Sequence, residues 1–204
     1  MGLFAPFRRR PHERAGFGLY TASVAAARDP WFFGPGGAGG PDGLGVPDTL
    51  DGRFDVINLH VALLVRRLRN DPDPRGAALA QAVFDAMFSD MDVTLREMGV
   101  GDLAVGKRVK RMWEAFHGRA LAYEAALDAG DEGALATALA RNVWREDPSG
   151  AEGARTSPRA SRLGRHAVGV AAALAGQNLA ALLRGEVRFP PPAAAGPEAG
   201  AHAA

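Results

Sequence analysis

The chain has 204 residues, of which 47% are hydrophobic and 23% charged, and its formal net charge is +1. This composition is typical of a single soluble globular domain with extra terminal segments. The sequence contains no cysteine, which excludes disulfides, thiolate catalysis and cysteine-based metal sites.

The N-terminal region divides into an arm, a short helix and a loop. Residues 1–15 are predicted to form a basic flexible arm, with arginines at 8, 9, 10 and 14. No secretory signal follows these arginines, because Pro11-His12-Glu13 replaces the apolar run that a signal requires. The segment Leu19 to Arg28 predicts a short helix that ends before Pro30. Residues 34–47 contain seven glycines and three prolines and are predicted to form an insertion loop.

Apolar residues then recur at helical spacing in four successive segments. The predicted buried stripes are Ile57, Val61, Leu64 and Leu68; Leu79, Val83, Met87, Met91, Leu95 and Met98; Val105, Val109, Met112, Phe116, Tyr123 and Leu127; and Leu135, Leu139 and Val143. Asp48, Asp102 and Asp131 stand where each can cap the helix that follows.

The C-terminal third is predicted to contain one more helix. A polar loop at 146–158 leads into it, and its apolar positions are Leu163, Val170, Leu174 and Leu182, with Asn178 on a related face. Residues 190–204, which begin with three prolines, are predicted to be a disordered tail. The sequence therefore predicts an all-α protein: a single bundle of about five to seven helices over residues 16–189, with a disordered arm and tail.

Membrane insertion is not expected from the longest uncharged run, residues 167–183. This run is rich in alanine and contains Gln177 and Asn178, whereas a spanning helix needs about 20 strongly apolar residues. We expect a cytoplasmic protein, peripheral at most at the inner membrane face.

Two glycine motifs match phosphate-binding patterns only in their letters. Residues 34–39 fit G-x-G-x-x-G but lack the preceding strand and following helix that a dinucleotide site requires. Residues 101–107 fit G-x-x-x-x-G-K, but Arg108 stands where a serine or threonine would hold magnesium. A loop and a helix start are the favoured interpretations, and a phosphate-using enzyme is the disfavoured one.

Other residues give little support for metal binding or catalysis. Asp90 and Asp92 form a D-x-D pair, but on a helix their side chains point about 200° apart, so one ion cannot bind both. His60 and His117 lack partners at ligand spacing, and His60 is predicted to be a hydrogen-bonded packing residue. We expect no cofactor and no enzymatic activity.

A basic cluster at Lys107, Arg108, Lys110 and Arg111 is the most distinctive charged feature. Cations near a helix N-terminus gain nothing from the helix dipole, so their placement favours an external anionic partner such as RNA or an acidic protein face. A solvated helix face remains the alternative interpretation. Asp90 and Asp92 are further candidate partner-binding residues.

Several motifs resemble the ubiquinol–cytochrome c chaperone family. They are Leu19 to Pro30, Gly45-Val46-Pro47-Asp48-Thr49 with Gly52-Arg53-Phe54-Asp55, and Met98-Gly99-Val100-Gly101-Asp102 running on to Phe116-His117-Gly118-Arg119 and Tyr123. The resemblance spans roughly residues 19–145. Its two departures are the glycine-rich stretch 34–44 and His117, which stands at a position where an aromatic residue is usual.

The resemblance implies a non-catalytic, α-helical chaperone that binds newly made cytochrome b for assembly of the bc1 complex. It also implies contact with the ribosome and with a small helical partner protein, and peripheral contact with the membrane through the client, with no DNA partner. A ribosome- or RNA-binding adaptor that uses the cluster at 107–111 is the alternative function.

Overall fold

The computed structural model describes residues 11–33, 43–146 and 157–192. Seven α-helices lie within these residues: α1 (Pro11–Ala27), α2 (Leu50–Arg69), α3 (Pro74–Glu97), α4 (Asp102–Asp128), α5 (Glu132–Trp144), α6 (Pro158–Ala175) and α7 (Leu179–Leu182). A short 3₁₀ turn spans Pro30–Phe32. The described part of the chain contains no strand, and the predicted all-α helical bundle is confirmed.

Helix α2 is the centre of the bundle. It packs against α1, α3, α4, α5 and α6. A helix that is covered on most sides is buried around much of its circumference. Polar residues are therefore buried together with the predicted apolar stripe: Asp55, Asn58 and His60 are almost fully enclosed. His60 hydrogen-bonds through Nδ1 to the carbonyl oxygen of Val56 at 2.9 Å, so the predicted packing role is confirmed.

Helices α1 and α3 form the most extensive contact of the bundle. They approach closely at Gly16, where an added Cβ would lie 2.6 Å from the backbone carbon of Ala82. The hydroxyl of Tyr20 donates a hydrogen bond to Asp90 Oδ2 at 2.7 Å further along the same contact. Glycine at position 16 therefore sets the distance between the two helices.

The start of α1 corrects the predicted limit of the N-terminal arm. The helix begins at Pro11, so residues 11–15 are helical, and Ala15 and Gly16 are buried. Proline at the first position of a helix is favourable because its missing amide hydrogen would have no helical acceptor there. The rest of the predicted arm, residues 1–10, lies outside the described residues.

The glycine-rich insertion at 34–47 contributes more to the core than its composition predicts. Residues 34–42 lie outside the described residues, but Leu44 and Val46 are buried in the main core cluster. Their backbone amides donate to the carbonyls of Trp31 (2.9 Å) and Phe32 (2.9 Å). Two apolar side chains at the end of the stretch thus anchor it to the bundle.

Helix caps agree with the sequence at one of three positions. Asp131 caps α5 as predicted, accepting a hydrogen bond from the amide of Ala134. The cap of α2 is Thr49 instead of Asp48, which pairs with Arg53 on the surface. Asp102 does not cap α4, because it is the first residue of the helix. The N-cap position is Gly101, which has no side chain to cap the helix.

Most predicted stripe residues lie in the core. Five of the six residues on the α3 stripe are buried, and the exception is Met98, which ends the helix and is 57% exposed. On α4, Val105, Phe116 and Tyr123 are buried, and the other three are partly buried. All three residues of the α5 stripe are buried.

The C-terminal region differs from the single helix and tail that the sequence predicts. Helix α6 begins at Pro158, inside the loop predicted for 146–158, and ends at Ala175. Asn178 caps the separate turn α7, because its side chain accepts from the amide of Ala180 and so starts a new helix. Residues 190–192 were predicted to be part of the tail, but they line a cavity of about 300 Å³ beside His60. Residues 147–156 and 193–204 lie outside the described residues.

Candidate functional site

Helix α4 exposes two leucines on the side that faces away from the core. Leu103 is 93% exposed and Leu121 is 64% exposed. These residues are eighteen positions apart, which at about 100° per residue returns to the same angular position after five turns. Their separation along the helix axis is roughly 27 Å. We call the line that joins them, with Lys107, Lys110 and Glu114 between, the outer face of α4.

The predicted basic cluster lies on and beside this outer face. Lys107, Arg108, Lys110 and Arg111 are all exposed. Lys110 approaches Glu114 at 3.9 Å, and the other three form no salt bridge with any described carboxylate. Positive charge is therefore available to an anionic group of a partner.

A group of aromatic rings on α4 contacts α3. Phe84 of α3 contacts Phe116 and His117 of α4, with ring centroids 5.5 Å and 5.3 Å apart. Trp113 stacks on His117 with centroids 4.0 Å apart, and the backbone oxygen of Trp113 lies 3.0 Å from His117 Nδ1. The ring at position 117 thus packs in an aromatic environment, although it is a histidine. Ring contacts of this type favour one fixed arrangement of the helix pair.

A buried carboxylate joins α4 to α2 and α5. Asp55 of α2 is 2% exposed and forms a salt bridge with Arg119 of α4. It forms a second salt bridge with Arg145, the C-cap of α5, whose Nη1 lies 3.0 Å from Asp55 Oδ2. Burial raises the pKa of Asp55 to about 6, although both arginines oppose this rise. We call these three residues the Asp55 clamp; it links α4 to the central helix α2.

The two acidic candidates on α3 have separate environments. Asp90 faces α1, where it accepts the hydrogen bond from Tyr20, and Asp92 pairs with Arg96 at 2.6 Å. The structure does not join them into one site. In the described parts of the chain, no group of three or more histidine or acidic side chains is placed to hold a metal ion.

The phosphate-like motif at 101–107 is part of a helix. Residues 102–107 form the first turns of α4, and the amide of Val105 donates to the carbonyl of Gly101 at 3.1 Å. A phosphate loop instead needs free backbone amides in a curved segment. The motif at 34–39 lies outside the described residues.

Two features of the surface were not predicted from the sequence. Leu103 and Leu121 were not singled out because they fall outside the buried stripe of α4. Their 18-residue spacing nevertheless places them on the same side of a helix. The second feature is a groove of about 510 Å³ between α1 and α3, lined by His12, Glu13, Phe17, Ala78, Gln81, Ala82, Asp85, Ala86, Ser89, Asp90 and Val93. Its two walls are far apart in sequence, so no local pattern predicts it.

In the parts of the chain that the structure describes, no helix combines the length and the apolar character that crossing a bilayer requires.

Comparisons with known proteins identify the family. A model of the ubiquinol–cytochrome C chaperone family matches residues 42–189. The crystal structure of the Cbp3 homolog from Brucella abortus superposes with a TM-score of 0.71 and 36% sequence identity, over 88% of this chain and 90% of that one. No curated protein matches the chain. The resemblance seen in the sequence is confirmed, and the chain belongs to the ubiquinol–cytochrome C chaperone family.

Proposed function

We propose that this chain binds newly made cytochrome b and holds it during assembly of the bc1 complex. Family membership supports a chaperone role in that assembly. The observation that carries the choice of surface is the outer face of α4, where two exposed leucines flank a basic cluster. The proposal assigns no reaction to the chain.

The outer face suits a client whose apolar helices have not yet packed. A membrane-spanning helix must cover a hydrocarbon layer of about 30 Å, which is close to the roughly 27 Å between Leu103 and Leu121. The cations between the leucines suit polar or acidic side chains of the client. Exposed side chains at both ends of one rigid helix therefore provide contact over the length of a client helix.

The expected affinity is modest. Burying one leucine completely contributes about 1.5–3 kcal/mol, so two contribute at most about 6 kcal/mol before the cost of association. Micromolar binding requires about 8 kcal/mol, so the basic cluster or further contacts must supply the rest. Weak, reversible binding is appropriate for a chaperone that later releases its client.

Affinity purification from detergent-solubilised cells tests the proposal. The Leu103→Ser/Leu121→Ser variant is expected to recover several-fold less cytochrome b than the wild type. The matched control is Phe17→Ser/Val93→Ser, which changes two other exposed apolar residues, on the groove between α1 and α3. Failure of the wild-type chain to recover any cytochrome b would remove the proposed client. Loss of client in the control pair alone would move the site to the groove.

A second candidate function is an RNA- or ribosome-binding adaptor. It is favoured by the exposed cations at 107, 108 and 111, which form no salt bridge among the described residues. Ribosome co-sedimentation should then weaken steeply as salt rises, because neutralised phosphates release counterions. Replacing all four cluster residues by alanine should abolish binding.

The matched control for this test removes four cations that are scattered over the surface. Alanine at Arg14, Arg141, Arg165 and Arg188 changes the net charge equally and should retain binding. Equal losses in both variants would indicate a nonspecific charge effect. The small helical partner remains a prediction and would be found among the proteins that co-purify with the chain. The cytoplasmic location also remains a prediction.

A further inference from the structure

Two histidines from different helices line one cavity of the bundle. The cavity has a volume of about 300 Å³ and is lined by His60 of α2 and His166 of α6, with Phe189 and residues 190–192 as part of its wall. The centroids of the two imidazole rings are 5.8 Å apart. The fold therefore brings two potential metal ligands, distant in the sequence, to the same enclosed space.

Each of these histidines has a ring nitrogen without a protein partner. The Nδ1 atom of His60 lies 2.9 Å from the carbonyl oxygen of Val56, so this nitrogen carries the hydrogen and donates it. The Nε2 atom of His60 then has the free lone pair, and it forms no hydrogen bond with a described residue. The Nε2 atom of His166 is buried and also lacks a partner among the described residues. Buried polar atoms normally have a partner, so both nitrogens are available to a ligand.

Both rings are in the protonation state that binds a metal ion. Burial lowers the pKa of His60 to about 4, and burial also lowers the pKa of His166. The neutral imidazoles therefore offer lone pairs at neutral pH. Histidines that bind metals also tend to donate their other ring hydrogen to a carbonyl or carboxylate, as His60 donates to Val56.

The separation of the two rings fits a single shared ion. With zinc–nitrogen bonds of about 2.0–2.1 Å, two imidazoles on one ion have centroids roughly 5–6.4 Å apart, depending on the angle between the bonds. The observed 5.8 Å lies within this range. Phe32 contacts both rings, with its centroid 5.5 Å from that of His60 and 5.5 Å from that of His166. Aromatic packing thus holds the two rings side by side before any ion binds.

The other groups at the cavity restrict the kind of ion. Asp29 lines the cavity and supplies negative charge, which opposes the fall in the pKa of His166. Arg28 also lines it but is exposed, so solvent screens its charge. Because the described residues include no group of three histidine or acidic side chains placed for a metal, water must fill the remaining positions. Imidazole ligands favour ions such as zinc over magnesium and calcium, which prefer oxygen ligands.

We propose that His60 and His166 together bind a divalent cation of the zinc class through their Nε2 atoms. The ion joins α2 to α6 beside residues 189–192, and water completes its coordination. This site is separate from the outer face of α4, so zinc binding does not depend on a client.

Zinc titration of the untagged full chain, after treatment with a chelator, tests this site. We expect one Zn²⁺ to bind per chain in competition with a chromophoric chelator. Loss of an outer-shell partner alone weakens metal sites by about 10–100-fold, so His60→Gln and His166→Gln should each weaken binding by at least about tenfold. The matched control is His117→Gln, which should bind zinc like the wild type. The Nδ1 atom of His117 also lies near the carbonyl oxygen four residues earlier, at 3.0 Å, but no described histidine ring contacts it.

Nitrogen NMR of the histidine-labelled wild type gives a second measurement that needs no substitution in the site. Zinc should shift the Nε2 resonances of His60 and His166 together and leave those of His117 unchanged. Circular dichroism confirms that each variant is folded. Unchanged affinity in His166→Gln overturns the proposal. A wild type that binds no zinc at millimolar concentration, or whose zinc-dependent shifts occur only at the other histidines, overturns it as well.

Discussion

Replacing Asp55 by asparagine tests the electrostatics of the clamp that holds α4. Asp55 is buried, and its pKa is raised from 3.8 to about 6. Between pH 6 and pH 4 the folded chain therefore binds a proton that the unfolded chain does not bind. Lowering the pH through this range stabilises the wild type relative to Asp55→Asn, which has no such proton to bind.

The rise of the Asp55 pKa from 3.8 to about 6 predicts the size of the effect. At 1.36 kcal/mol per unit, the wild type should gain roughly 3 kcal/mol over Asp55→Asn between pH 7 and pH 4. Urea unfolding followed by circular dichroism at pH 7, 6, 5 and 4 measures this difference. A difference that stays constant over the four pH values would refute the reasoning.

His60 gives a companion measurement of opposite sign. Burial lowers the pKa of His60 from 6.5 to about 4, so the unfolded chain takes up the proton first as the pH falls. The wild type should lose roughly 3 kcal/mol relative to His60→Gln between pH 7 and pH 4. The two groups oppose each other, so the wild-type profile itself should be flatter than either difference.

Two further predictions concern backbone positions and use the same unfolding assay. Gly16→Ala should destabilise the chain by about 1–3 kcal/mol because its Cβ meets the backbone of Ala82, whereas Gly169→Ala, with open space around it, should stabilise by about 0.5–1 kcal/mol. A stable Gly16→Ala variant would mean that α1 and α3 pack less closely than described. Thr49→Ala should cost about 1 kcal/mol through loss of the α2 cap, and Asp48→Ala less than about 0.5 kcal/mol. The reverse order would make Asp48 the cap.

The sequence predicts the helices well where one face of the helix is buried. Val83, Met87 and Met91 recur every fourth residue because α3 turns one side to the core, so spacing directly reports burial. The same rule fails at Met98, which continues the spacing beyond the point where the helix and its contacts end.

Burial of polar residues could not be predicted from spacing. Asp55 and Asn58 look like surface residues in the sequence, and both are buried because α2 is surrounded by other helices. Arg145, which completes the clamp, adopts a left-handed backbone conformation at the end of α5. Such contacts depend on how distant helices meet, which local patterns do not contain.

The candidate surfaces show the same division. The basic cluster at 107–111 is contiguous, so the sequence alone located it, and the fold leaves it exposed. The groove requires α1 to lie beside α3, and its contact between Tyr20 and Asp90 joins residues 70 positions apart. Leu103 and Leu121 are recognised as one exposed line only when the exposure of each residue of α4 is known.

Site-specific photocrosslinking tests the central claim most directly. A photoreactive residue is placed at Leu103, at Leu121 or, as a control, at Ala172 on α6, and cells are irradiated during synthesis of cytochrome b. We expect crosslinks to cytochrome b from both positions on α4 and none from the control. Crosslinks that are missing from both leucine positions, or equally strong from position 172, would contradict it.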